Sequence, residues 1–251
     1  MLDILFSPGR AFSRLKDRPA WVLPLVLAAL LPALISTAAF TLLPRQTVAN
    51  YIDGKRSQIM DNVGQRLERS GLSQEQREEQ MKKMNEQFSA ELDRYRTLSK
   101  PALFARSLLR SVPAMIWGAG LMFLLALFVK MLLPLVEAQA VYKSVLPVIA
   151  CAGLTRIVGA LFKGIVMVAS NKPTVLTSLA LAMPAGRGSY LHGLLSFFDV
   201  FTLWELALVS LGVGVVTNTR RTWPVVFGVW LIYVLILSAL DALAGGMMAG
   251  S

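Results

Sequence analysis

Cysteine and histidine each occur once in this chain, and charged residues make up only 16% of it. The lone Cys151 excludes an intrachain disulfide and a cysteine-cluster metal site, and reads as a small buried filler within an apolar run. The lone His192, beside Gly193 at the edge of an apolar stretch, reads as a polar interface residue. A Gly-rich phosphate loop, a nucleophile elbow and metal-spaced His/Cys clusters are all missing. Asp199 and Glu205 could pass for a catalytic couple, but six residues along a helix turn them about 240° apart, so they do not converge. No catalytic residue, cofactor, metal or enzymatic activity is expected.

Acids are also in short supply, 15 against 25 Lys and Arg, which leaves a net charge of +10. Such a surplus can mark a nucleic-acid binder. Here the cations are scattered along loops and the flanks of apolar runs, without a basic module interleaved with aromatics, so nucleic acid is excluded as a partner. They read instead as topology signals and contacts to lipid headgroups. What the chain has in abundance is apolar residues, 55%, gathered in long blocks. That is the composition of an integral membrane protein.

Taken in order, residues 1–20 form a short basic helix lying in the membrane interface. Ser7 caps it, Pro8 opens it, Phe12 and Leu15 share a face, and Arg10, Arg14, Lys16 and Arg18 supply the polar side. Residues 21–44 form the first transmembrane helix. Its apolar span is too long for a signal-peptide core, despite the small residues at 36–38, and reads as an uncleaved anchor. Residues 45–110 are the one extended polar region, with 13 Lys/Arg and 9 Asp/Glu mixed as on a solvated helix surface. Val48, Ile52, Ile59, Val63 and Leu67 make one apolar stripe. Met81, Met84, Phe88, Leu92 and Tyr95 make a second with coiled-coil spacing. A break at 70–72 and a capping box from Ser73 to Gln76 point to an antiparallel helical hairpin. It serves either as a spacer or as a stalk that docks a protein partner, and the same seam formed between copies would make a homo-oligomer.

Residues 111–251 hold four further crossings, at 112–133, 145–168, 197–216 and 223–244. Lys130 can snorkel at the end of the first of these. Ala160 and Gly164 form a small-residue pair that permits close helix approach. The loop at 171–193 has an apolar centre at 175–183 that is re-entrant or interfacial. The fold class is therefore all-α: a polytopic membrane protein with five transmembrane helices and an extramembrane hairpin between helices 1 and 2.

Five ionisable residues fall inside the apolar runs: Arg156, Lys163, Asp199, Glu205 and Asp241. Charges in hydrocarbon cost about 2.5–3.5 kcal/mol each on insertion scales, so they face protein or water. Counting about 1.5 Å per residue puts Arg156 and Glu205 near the midplane, and Lys163, Asp199 and Asp241 towards one face. The third, fourth and fifth crossings are expected to meet around this column, with Trp204 at a helix interface. The cations at 10–18 and Arg220 and Arg221 fall on the same side in a five-crossing topology. That side is expected to be the cytoplasm, which leaves the hairpin and the C-terminus outside.

The stretches SPGRAFSRLKDRPAW at 7–21, TSLALAM at 177–183 and FDVFTLWELALVSLG at 198–212 resemble the Yip family, the Ypt/Rab-interacting membrane proteins, in their bacterial form. Asp199, Phe201, Trp204 and Gly212 are the most specific part of the resemblance, which spans most of 7–240. It implies five transmembrane helices, a cytosolic N-terminus, no enzymatic activity and, for a bacterial member, the inner membrane. Eukaryotic relatives engage Rab-type GTPases through an acidic N-terminal region. This basic segment has no counterpart to it, so the resemblance does not extend to GTPase binding. The expected function is a non-enzymatic membrane organiser that binds protein partners or membrane lipids. The alternative is a transporter, channel or lipid-handling protein that uses the intramembrane charges.

Overall fold

The computed structural model describes residues 3–17, 20–69, 73–182 and 190–250. The expected break at 70–72 and Arg18 of the basic segment lie outside the described residues, as do the side chains of Tyr95, His192 and Asp241. The helices are α1 (Asp3–Phe6), α2 (Pro8–Asp17), α3 (Val22–Leu42), α4 (Arg45–Arg69), α5 (Gln74–Thr97), α6 (Lys100–Leu132), α7 (Tyr142–Ala152), α8 (Thr155–Ser170), α9 (Tyr190–Ser196), α10 (Val200–Thr217) and α11 (Trp223–Gly250). Short 3-10 turns cover Leu133–Val136 and Leu179–Ala182. By length and composition, four helical segments can cross a membrane: α3, α6 with its 3-10 extension, α7 with α8, and α10. A shorter apolar stretch, Trp223–Ala239, lies in α11. The molecule is an all-α integral membrane protein.

The segment formed by α7 and α8 is the hub. In its most apolar window 72% of residues are buried, against 28% in α3, 22% in α6 and 33% in α10. Val145, Val148, Ile149, Ala150 and Ala152 are fully covered by protein. The crossing expected to run unbroken over 145–168 is interrupted at Gly153 and Leu154, where Arg156 and Ile157 donate backbone hydrogen bonds three residues back, to Gly153 and Leu154. A Cβ on Gly153 would lie 2.5 Å from Met122 Cε and 3.3 Å from Ala28 Cβ. Glycine at this point lets α3 and α6 close on the hub. Further along, a Cβ on Gly164 would meet Ala39 Cβ at 3.2 Å, and the α3–α8 contact is the most extensive between helices. The left-handed residues Asn171 and Asn218 end α8 and α10, a conformation asparagine tolerates well.

The basic N-terminal segment is two helices rather than one. Ala11 and Phe12 of α2 and Ile4 of α1 are buried, with Phe12 against Gly212 of α10 and Val148 of α7. The segment thus buries its apolar face on the bundle, while Arg10, Arg14 and Lys16 stay exposed.

Helices α4 and α5 pack on each other. Arg56 donates to Asn85 Oδ1, and Gly64 faces Met81, which fixes an antiparallel register. Val48, Leu67 and Leu92 are buried; Ile52, Val63, Met81, Met84 and Phe88 are half-buried; Ile59 is exposed. Ser73 and Gln76 cap α5 reciprocally: the Ser73 amide donates to Gln76 Oε1 at 3.1 Å and the Gln76 amide to Ser73 Oγ at 3.3 Å. Arg45 closes the base by donating to the carbonyls of Arg96 and Leu98, at 3.0 and 3.1 Å. On the solvent side Lys83 donates to Glu79 at 2.7 Å, which holds the Glu79 carboxyl below its ordinary range.

Candidate functional site

Helix α10 begins at Asp199, whose extended backbone makes it the N-cap. Its Oδ1 accepts from the Phe201 amide at 2.8 Å, the expected use of an aspartate at a helix start. Its Oδ2 accepts from Lys163 Nζ of α8 at 2.8 Å and from the Thr177 hydroxyl. Asp199 is therefore a cap, not a residue within the crossing as the 197–216 reading had it. The loop carrying Thr177 is anchored beside it by the Ser178–Asp199 bridge and by the Leu179 amide, which donates to the Phe198 carbonyl at 3.1 Å. Thr177 is a polar partner that the sequence reading did not single out. Its only signal is its place at the head of the 177–183 stretch.

About 9 Å further along α10, a rise of six residues, Glu205 meets Arg156. The guanidinium donates from Nε and Nη2 to the two carboxylate oxygens, each at 2.8 Å. This planar fork suits arginine and would be lost with lysine. The two pairs form an antiparallel ladder between α8 and α10: Arg156 with Glu205, and Lys163 with Asp199. Asp241, the fifth charge of the expected column, has no described side chain. Both acids are buried, with side chains 9% exposed, whereas the cations are 39% and 38% exposed.

The remaining motif residues brace the ladder. The Phe201 ring lies where a Cβ on Gly159 would sit 2.9 Å from it, so Gly159 is the notch that receives it. Phe162 also touches that ring, at 5.8 Å between centroids. Trp204 is partly buried and packs on the core beside Glu205. Gly212 gives Phe12 and Val148 their space.

A cavity of about 710 Å³ opens between α3, α6, α8, α10 and α11. All four paired charges line it, together with Ser36, Thr202 and Tyr233. The rest of the wall is apolar, including Leu121, Leu125, Phe128 and Trp230. Its size lies within the roughly 300–1,000 Å³ of small-molecule sites. Among the described residues no group of three His, Cys, Asp or Glu could hold a metal.

This architecture defines a polytopic helical membrane protein in which two buried acids, Glu205 and Asp199, are paired with cations of a neighbouring helix. The Yip1 domain model matches residues 2–243, nearly the whole chain, and the protein belongs to that family. Yip family proteins are non-enzymatic membrane trafficking factors. No curated protein and no solved structure matches the chain.

Proposed function

We propose that this protein is a non-enzymatic membrane organiser that holds protein partners and lipids in place. The observation that carries this reading is the charged pair α4–α5, joined to an apolar bundle in which Arg156 is tied to Glu205 and Lys163 to Asp199. If the shorter apolar stretch of α11 also crosses, the positive-inside rule favours a bacterial inner-membrane topology with the N-terminus and the loop bearing Arg220 and Arg221 in the cytoplasm, and α4–α5 and the C-terminus outside. The exposed acids and bases of α4 and α5 then offer a polar surface to a protein partner.

The test is affinity purification of the full chain from crosslinked membranes, followed by mass spectrometry of proteins and lipids. Specific proteins should be recovered with the native chain and lost when the exposed charges of α5 are reversed. Solute flux in reconstituted vesicles that depends on Arg156 and Glu205 would replace the organiser with a transporter. The cavity reaching both ion pairs favours a second reading, lipid handling.

A further inference from the structure

The two ion pairs are lopsided. All four groups line the cavity, but the acids are 9% exposed and the cations 39% and 38%. A guanidinium has five N–H donors and an ammonium three. Glu205 takes two from Arg156, on Nε and Nη2, and Asp199 takes one from Lys163. The surplus donors, including both on Arg156 Nη1, belong to groups that line the cavity, where an acceptor-rich anion can meet them. A cationic ligand would have to reach carboxylates that are only 9% exposed.

Next to this polar wall lies an apolar one. Leu121, Leu125, Phe128 and Leu132 run along α6 for about 16 Å. One leaflet of a hydrocarbon core about 30 Å thick is about 15 Å deep, the reach of an acyl chain. Cations with open donors and an apolar strip about one acyl chain long share a single cavity.

We propose that this cavity binds a membrane phospholipid with an anionic headgroup. Its phosphate meets Lys163 and Arg156, and one acyl chain lies along α6. The inference rests on the membrane-organiser reading and deepens it. It stands apart from partner docking on α4–α5, so either can fail alone.

The experiment uses the full chain carrying the photocrosslinking substitution Phe128→p-benzoylphenylalanine, in vesicles of equal parts phosphatidylcholine and phosphatidylglycerol. Mass spectrometry of the adducts should show phosphatidylglycerol favoured several-fold. A cation near the surface contributes about 1 kcal/mol to anionic-lipid binding, so loss of one should cut the preference about fivefold. Lys163→Gln should show that cut, and the double variant Lys163→Gln/Asp199→Asn, which keeps a neutral hydrogen-bonding pair and the net charge of the wall, should show a smaller one. Leu125→Trp fills the apolar strip, leaves every charge in place, and should abolish adducts of both lipids. Equal capture of the two lipids overturns the headgroup assignment. Adducts that survive Leu125→Trp, adducts to a second copy of the chain, or none at all overturn the site.

Discussion

Arg156 and Glu205, 49 residues apart in sequence, meet through two parallel hydrogen bonds of 2.8 Å between α8 and α10. Removing one partner strands the other in a region with little water. Loss of a buried partner costs about 3–5 kcal/mol, and the open edge of Arg156 places this pair at the lower end of that range. Arg156→Gln and Glu205→Gln should each reduce the yield of monodisperse protein. The double variant should recover part of the loss, because two amides can hydrogen-bond without net charge. Additive losses in thermal melts would mean that the residues are uncoupled.

Asp199 has two roles that substitution can separate. Asn keeps the N-cap acceptor but not the charge, whereas Ala loses both. An N-cap side chain contributes about 0.5–2 kcal/mol. Asp199→Ala should therefore melt below Asp199→Asn, and Asp199→Asn below the native protein. Equal melting of the two variants would remove the capping role.

Glycines divide by what surrounds them. A Cβ on Gly212 would fall 2.5 Å from Val148 Cγ1 and 2.9 Å from the Phe12 ring, while Gly118 and Gly228 have nothing within 4 Å. Overpacking costs about 1–3 kcal/mol, so Gly212→Ala should destabilise. Gly118→Ala and Gly228→Ala should be neutral or raise the melting temperature, since alanine favours a helix by about 1 kcal/mol over glycine. Unchanged stability in Gly212→Ala would mean that Phe12 does not dock there.

The α4–α5 seam offers a graded test. Leu92 is 4% exposed, whereas Phe88 is only half-buried. Leu92→Ala should cost about 2–5 kcal/mol of local stability, and Phe88→Ala less than the roughly 3 kcal/mol of a fully buried Phe. Hydrogen exchange on α4 and α5 reads both. A larger effect at Phe88 would mean that the seam is formed between chains.

Topology follows from labelling single cysteines with an impermeant reagent. Buried Cys151 adds little background. Glu75→Cys should react from the extracytoplasmic side and Thr219→Cys should not. The reverse pattern inverts the orientation.

Much of the ladder is legible in the sequence, because a charge inside an apolar run needs a partner and helical rise gives its depth. Arg156 and Glu205, and Lys163 and Asp199, sit at matching levels on antiparallel helices by that count alone. Thr177 is not legible this way, since a loop has no periodicity to aim a hydroxyl. The identity of the hub is also hidden from hydropathy. Lipid is as apolar as a protein interior, so buried α7 and lipid-facing α3 read alike. Side-chain size does not separate them either: Ala150, Cys151, Ala152 and Gly153 follow one another in the hub, and Ser36, Thr37, Ala38 and Ala39 do so in α3. Phe12 was legible as apolar, but nothing local told a lipid surface from the notch at Gly212.

The separation of the ion-pair partners along the chain also bears on biogenesis. When α8 leaves the ribosome, Arg156 has no carboxylate to meet; Glu205 follows 49 residues later. At about 5–20 residues per second that interval lasts several seconds. During it an unpaired arginine faces an insertion penalty of about 2.5–3.5 kcal/mol. The α7–α8 segment is therefore expected to linger at the insertion machinery until α10 arrives, so that the two helices enter the bilayer as a unit. In a chain truncated before Glu205, α7–α8 should stay crosslinkable to the insertion machinery, whereas in one extended beyond α10 it should be released into lipid.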